Sequence, residues 1–157
     1  PSSVTTLSIW ELNYLISKVT VKNVMTKKVV TVDQDTPIEE AARIMADKKI
    51  GGVPGMSGGN VVGIITETDL FKIFRELMGA RQKAWRVTAT IAEKPGQLAL
   101  LTQAVAQNGG NFIAFGMFSG PDLNSRVVTF KVEGLEKNKI REVLEPVVVK
   151  FWDIRLC

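Results

Sequence analysis

Histidine is absent from this sequence of 157 residues, and cysteine occurs once, at Cys157. These absences exclude Ser-His-Asp and Cys-His catalytic sites, zinc sites built on histidine, and an internal disulfide framework. An enzyme of this composition would depend on Asp, Glu, Lys or Tyr, and the sequence shows no paired carboxylates or activated lysine. We therefore expect a protein that is not an enzyme, with no metal site and no required cofactor.

Long apolar runs are also missing, since none approaches the roughly 20 residues that span a bilayer. The first residues, Pro-Ser-Ser-Val-Thr-Thr, lack the basic start and apolar core of a signal peptide. We expect no membrane partner and a cytoplasmic location. The sequence does not begin with methionine, so we expect a processed chain or a part of a longer protein.

The charge of the chain is weakly positive and scattered. The net charge is +4, and the densest cations are the pairs Lys27-Lys28 and Lys48-Lys49. No stripe of Lys and Arg interleaved with aromatic residues appears, so we expect no nucleic-acid partner. Hydrophobic residues make up 45% of the chain and charged residues 23%, a composition that can bury a real core.

Residues 19–78 predict a β-α-β-β-α unit. A β-branched run at residues 29–32 predicts the first strand. Thr36-Pro37-Ile38-Glu39 predicts a helix start, with a hydroxyl N-cap, proline at the first position and glutamate at the third. Two strands at residues 50–54 and 61–65 follow, joined by a glycine-rich turn, and a helix covers residues 67–78.

The segments on either side of this unit differ in polarity. A predicted helix at residues 5–18 is apolar around most of its circumference, so we expect a partner to sandwich it. Gly79-Ala80-Arg81-Gln82-Lys83 is polar and without periodicity, which predicts a linker over residues 79–84.

Residues 85–157 predict a second domain with the order β-α-β-β-α-β. This is the order of a ferredoxin-like split unit, with helices on one face of an antiparallel sheet. The fold class is therefore mixed, α/β in the first unit and α+β in the second. The predicted elements are strand 86–91, a helix ending at Gly109-Gly110, strands 112–118 and 126–132, helix 137–144 and strand 147–155.

The junction Gly63-Ile64-Ile65-Thr66-Glu67-Thr68-Asp69 carries the clearest chemistry of the chain. A buried strand runs directly into a helix, with the hydroxyl of Thr66 and the carboxylate of Asp69 three residues apart. This pair is typical of a capped helix start that needs no ligand. It also suits a nucleotide, because helix N-termini bind phosphate and a carboxylate accepts hydrogen bonds from ribose hydroxyls.

Residues 19–78 resemble a CBS repeat over its whole length. The motifs that carry the resemblance are Val24-Met25-Thr26, the run from Val29 to Thr31, Thr36-Pro37-Ile38-Glu39-Glu40-Ala41, Ile50-Gly51-Gly52-Val53-Pro54 and Gly63-Ile64-Ile65-Thr66-Glu67-Thr68-Asp69-Leu70. CBS repeats work in pairs, and many pairs bind AMP, ATP or S-adenosylmethionine in the cleft between them. The resemblance implies that Thr66 contacts phosphate or ribose and Asp69 the ribose hydroxyls. It implies an adenine site lined by Val30, Ile50, Gly51 and Ile64.

This sequence departs from the repeat in two respects. Gly55 stands where a β-branched residue is usual, so we expect local looseness after Pro54. Only one full repeat is present, and residues 1–18 resemble the tail of a preceding repeat with its connecting helix. We expect the first repeat upstream of Pro1 or on another chain.

Residues 85–157 resemble an ACT domain, on the motifs Glu93-Lys94-Pro95-Gly96-Gln97-Leu98 and Asn108-Gly109-Gly110-Asn111-Phe112. ACT domains commonly bind amino acids between two copies. The resemblance implies that Glu93 receives an α-ammonium group and backbone N–H groups near Gly96 a carboxylate, beside Leu98. Alternatively, Glu93 caps the following helix, Pro95 takes its first position and Gly109 ends it.

The order of CBS repeat and ACT domain resembles the AcuB-like regulatory proteins of acetoin utilisation. We therefore expect a regulatory module that senses an adenine nucleotide and an amino acid, forms a homodimer through its CBS and ACT surfaces, and acts on another protein. The alternative is a structural dimerisation module with no small-molecule ligand.

Overall fold

The computed structural model describes residues 8–157. The described residues form two compact units, one ending at Thr66 and the other covering Glu67–Cys157. Both contain helices and strands, which confirms the mixed helix-and-sheet class. No helix within the described part of the chain is long and apolar enough to cross a membrane. The tail and connecting helix of a preceding repeat were predicted over residues 1–18, and the first seven of these residues, including the predicted helix start at residue 5, lie outside the described residues.

The first unit is built around a small three-stranded sheet. Its strands lie in the order β1-β2-β3, with β1 parallel to β2 and β2 antiparallel to β3. Gly58 and Gly59 join β2 to β3 with φ of 55° and 82°, the positive values that a two-residue hairpin turn requires. The elements are α1 Ile9–Lys18, α2 Val21–Val24, β1 Val32–Asp33, α3 Ile38–Lys48, β2 Gly52–Ser57 and β3 Asn60–Thr66.

Several boundaries in the first unit differ from the sequence prediction, and β2 covers Gly52–Ser57 and β3 Asn60–Thr66 instead of residues 50–54 and 61–65. The first strand covers only Val32–Asp33 instead of residues 29–32, because β1 has a single neighbour and pairs with it at two positions. The helix start predicted at Thr36 is wrong by one residue. Pro37 is itself the N-cap, with an extended ψ of 142°, so helical geometry begins at Ile38.

The β2–β3 pairing is irregular after Pro54, while the looseness expected there stays a prediction. The register shifts between Gly55 and Met56, which is the signature of a bulge that places an extra residue in one strand. Burial in this unit is limited among the described residues. Its buried apolar side chains are Val32, Ala41, Met45 and Val53.

Helix α1 begins with a reciprocal cap and leaves its apolar side chains uncovered. The Ser8 side chain accepts a hydrogen bond from Glu11 N at 3.3 Å, and Ser8 N donates to the Glu11 carboxylate at 2.9 Å. The Ser8 hydroxyl also donates to the Glu11 carboxylate at 2.7 Å, and this bond, together with the one from Ser8 N, lowers the pKa of Glu11. Ile9 is 70% exposed and Trp10 82%. The partner expected to sandwich this helix stays a prediction.

The second unit contains a four-stranded sheet in the order β5-β6-β4-β7, with every neighbouring pair antiparallel. Alternate residues of its two central strands face a core that α5 and α6 cover. The elements are α4 Glu67–Leu77, β4 Trp85–Ala92, α5 Gln97–Gln107, β5 Asn111–Ser119, β6 Ser125–Glu133, α6 Lys137–Leu144 and β7 Lys150–Leu156. The fully buried core residues include Val87, Ala89, Leu101, Val105, Val128, Phe130, Val132, Ile140 and Leu144.

The last strand and the first helix of this sheet domain start later than predicted. Strand β7 begins at Lys150, because Val147 N and Val148 N still donate to Leu144 O after α6. At the start of α5 the N-cap is Gly96, with φ 81° and no side-chain cap. The alternative in which Glu93 caps α5 and Pro95 takes its first position is therefore wrong. Gly109, with φ 84°, follows the C-cap of α5, which confirms its role in ending the helix.

Candidate functional site

Most of the predicted adenine-site residues lie in the first unit at or near the ends of its strands. Val30 is half-buried and precedes β1. Ile50 is half-buried and Gly51 exposed, and both lie between α3 and β2. Ile64 lies on β3 with 67% of its surface exposed.

Gly52 has a structural reason to be glycine. A Cβ added to Gly52 would lie 3.1 Å from the backbone oxygen of Ile65, which pairs next to it on β3. The close approach of these two strands thus accounts for Gly52 without a bound ring. Gly51, the glycine of the predicted adenine site, is exposed.

Thr66 and Asp69 flank the start of α4. Thr66 is the last residue of β3, and α4 begins at the next residue, Glu67. Asp69 lies in the first turn, where the helix dipole favours an acidic side chain. Its carboxylate accepts a hydrogen bond from Lys72 Nζ at 3.2 Å and is 41% exposed. An exposed carboxylate at this position suits both the capping interpretation and a ribose contact.

A cavity of about 250 Å³ in the first unit was not predicted. Of the predicted site residues, Ile64 alone is among the residues that line it. Its polar groups come from Asp33, Gln34 and Thr36, at the connection between β1 and α3. The apolar walls are Val32, Ile38, Ala41, Val62, Ile64 and Ile65. A local pattern could not reveal this cavity, because its walls come from separate strands and a helix.

The predicted amino-acid site in the second unit already holds an ion pair. The Glu93 carboxylate accepts a hydrogen bond from Arg126 Nε, and both side chains are about 40% exposed. Glu93 N also donates to Asn124 O at 2.8 Å. Gly96 is the N-cap of α5, and Leu98 is 39% exposed. Sequence reasoning missed Arg126, since 33 residues separate it from Glu93.

Acidic and thiol groups elsewhere do not assemble into a metal site. Within residues 8–157, no three Asp, Glu or Cys side chains lie together in a way that could hold a metal ion. Cys157 is exposed and free.

Residues 21–76 match the CBS domain family. The chain contains a CBS domain. The matched segment includes all six residues of the predicted nucleotide site, from Val30 to Asp69. It also includes α4, which in the structure belongs to the second compact unit.

Several archaeal proteins resemble part of the chain. An uncharacterized protein of Methanocaldococcus jannaschii is 39% identical over 61 residues, which cover 39% of this chain and 33% of that protein. The homoserine O-acetyltransferase of Methanosalsum zhilinae is 42% identical over 67 residues, 40% of this chain and 14% of that enzyme. The L-aspartate semialdehyde sulfurtransferase of M. jannaschii is 36% identical over 59 residues, which cover 37% of this chain and 12% of that enzyme. The chain thus spans a third or less of the length of these relatives.

A solved structure from Bacteroides thetaiotaomicron is 18% identical and covers 80% of this chain and 87% of that one, at a TM-score of 0.35. A TM-score this low does not show that the two chains share a fold.

Proposed function

We propose that the protein is a non-catalytic regulatory module whose CBS domain senses an adenine nucleotide. The observation that carries the proposal is the CBS match over residues 21–76, which contains every predicted nucleotide contact. Thr66 and Asp69 would hold phosphate and ribose at the start of α4, where the helix dipole favours negative charge. Val30, Ile50, Gly51 and Ile64 would line the adenine.

We also propose that residues 85–157 are an ACT domain, which would make the chain an AcuB-like CBS–ACT protein. The support is the order β-α-β-β-α-β with strand order β5-β6-β4-β7, the arrangement expected of a ferredoxin-like unit. An amino acid that binds at Glu93 would have to replace the Arg126 guanidinium with its own ammonium group. The released Arg126 could then pair with the carboxylate of the same ligand.

Regulation by such a module requires two arrangements of the protein. A nucleotide shifts their populations only to the extent that it binds one arrangement more tightly than the other. The partner CBS repeat that completes the cleft would come from upstream of this sequence or from another chain. The target that responds is a separate protein.

Thermal unfolding of the full-length protein with AMP, ATP, S-adenosylmethionine and the common amino acids tests this function. At 100 times its dissociation constant, a ligand that binds only the folded state adds about 2.7 kcal/mol of stability. We expect one nucleotide to give a gain of this order. If none of these compounds raises the melting temperature, the sensor function is wrong.

The variant Asp69→Ala locates the site. We expect it to fold, because Asp69 is a partly exposed side chain whose ion pair with Lys72 contributes little stability, and to lose the nucleotide-dependent gain. Glu67→Ala is the matched control, since it removes an acidic side chain from the same helical turn but no predicted ligand contact. A gain that survives in Asp69→Ala would place the nucleotide elsewhere in the protein.

The second candidate function is dimerisation without a ligand, and exposed apolar side chains favour it. On α4, Phe71 is 71% exposed, Phe74 57% and Leu77 64%, in addition to Ile9 and Trp10 of α1. Surfaces of this kind mark interaction sites. We expect light scattering at micromolar concentration to give the mass of a dimer or larger assembly. A monomer would contradict dimerisation in either candidate function.

A further inference from the structure

Lys131 is a buried lysine whose ammonium group is enclosed by backbone carbonyls. Its exposed fraction is 5%. Nζ donates to Gly79 O at 3.1 Å, to Gln82 O at 2.8 Å and to Cys157 O at 3.1 Å. An ammonium group has three donors and no acceptor, so these three carbonyls match its full capacity. Hydrogen bonds from a charged donor are stronger than those between neutral groups.

The carbonyls come from two segments that are distant along the chain. Gly79 and Gln82 belong to the polar stretch that follows α4, and Cys157 follows the end of β7. Backbone pairing continues between the same segments, since Ala84 N donates to Cys157 O at 3.0 Å and Cys157 N to Ala84 O at 3.1 Å. Lys131 on β6 therefore holds the segment that follows α4 next to the end of the last strand, β7.

Pairing within the sheet does not explain a lysine at this position. Lys131 pairs directly with Arg86 on β4, and like charges opposite each other destabilise a sheet. Burial of a charge is costly as well, unless hydrogen bonds compensate for the lost water. The carbonyls around Nζ supply that compensation, which gives the side chain a role in holding the segment after α4.

Close packing at Gly79 supports the same role. Gly79 has φ 57°, and a Cβ at this position would lie 3.0 Å from Ile113 Cγ2 and 3.3 Å from Ala114 Cβ on β5. The aliphatic stem of Lys131 would lie 3.7 Å away, at Cδ. The backbone after α4 thus packs directly against one face of the sheet, the face that does not contact the core.

We propose that Lys131 acts as a clasp, by which we mean its three hydrogen bonds to the carbonyls of Gly79, Gln82 and Cys157. This clasp makes α4 and the sheet of the second unit move as one body. All but the last residue of α4 lies within the CBS match, and Lys131 holds the segment after this helix to the sheet of its own unit. The clasp operates with or without a nucleotide at the start of α4.

Hydrogen exchange of the ligand-free protein tests the clasp. Lys131→Met keeps the length of the stem and removes the ammonium group. We expect amide exchange at Ala80, Gln82 and Ala84 to accelerate by about tenfold or more, because these amides lie in the released segment. Exchange in the core strands should keep its wild-type rate. Lys83 is an exposed lysine of the same segment, so Lys83→Met is the matched control. It should leave amide exchange at the wild-type rate both in this segment and in the core strands.

Two further variants keep the test decisive if Lys131→Met folds poorly. Lys131→Gln retains two N–H donors on a shorter side chain and should show an intermediate acceleration. Gly79→Ala leaves the ammonium in place but displaces the Gly79 carbonyl, and should accelerate the same amides. Wild-type exchange at these amides, or an equal acceleration throughout the second unit, would overturn the clasp, because Lys131 would then hold nothing locally.

Discussion

Replacement of Phe130 by alanine should lower the free energy of unfolding of the second unit by about 3 to 5 kcal/mol. Phe130 is fully buried at the centre of β6. Its ring lies 5.1 Å from that of Phe112 and 5.9 Å from that of Phe115, so one substitution removes two aromatic contacts. The loss is large compared with the roughly 5 to 15 kcal/mol that stabilises a typical domain. Equilibrium urea unfolding followed by tryptophan fluorescence measures it.

Phe118→Ala provides the matched control, because it removes the same group from the neighbouring strand β5. Phe118 is 49% exposed, so we expect a loss of about 1 kcal/mol. If Phe130→Ala does not fold, Phe130→Leu should still show a loss of about 1 to 2 kcal/mol. Equal losses for Phe130→Ala and Phe118→Ala would contradict the position of the core.

The elements of the second unit could be read from the sequence because each has a local signal. The helix predicted at residues 137–144 has those bounds in the structure. The predicted strands 86–91 and 126–132 agree with β4 and β6 to within one residue at each end, and glycine located the end of α5. The start of α5 was mispredicted, since Gly96 adopts a positive φ where a polar side-chain cap was expected.

The structure of the first unit was less predictable, because it depends on which strands pair and on what packs against the apolar sides of its helices. β-Branched residues at 29–32 favour a strand by propensity, yet only Val32 takes part in β1. The sequence predicted helix α1, but an apolar pattern does not say what covers the apolar side chains. Trp10 on α1 is 82% exposed within this chain.

The candidate sites show the same division between local and distant information. Thr66 and Asp69 were predicted as site residues because they lie three residues apart at one helix start, and their role stays a prediction. Arg126 was missed, although it pairs with Glu93, because 33 residues separate the two. The carbonyl contacts of Lys131 span 26 to 52 residues, so no spacing rule could indicate them. Local motifs therefore suggest what a site contains, while distant contacts decide which of its groups are already engaged.

Replacement of Gly134 by alanine should destabilise the second unit by about 3 kcal/mol or more. Gly134 has φ 81° and lies between β6 and α6. A Cβ there would lie 2.6 Å from the backbone oxygen of Gly109, which follows α5. Backbone cannot move aside as a flexible side chain can, so the turn before α6 would have to shift. Equilibrium unfolding in urea measures the loss.

Gly109→Ala separates the clash from the strain of a positive φ. Gly109 has φ 84°, close to that of Gly134, but a Cβ on Gly109 would meet no atom of the described residues within 4 Å. We expect a loss of about 1 to 2 kcal/mol, the ordinary cost of a left-handed conformation for a residue with a Cβ. The difference between the two variants measures the contact between the turn before α6 and the end of α5. If both variants lose the same stability, that contact does not constrain the turn.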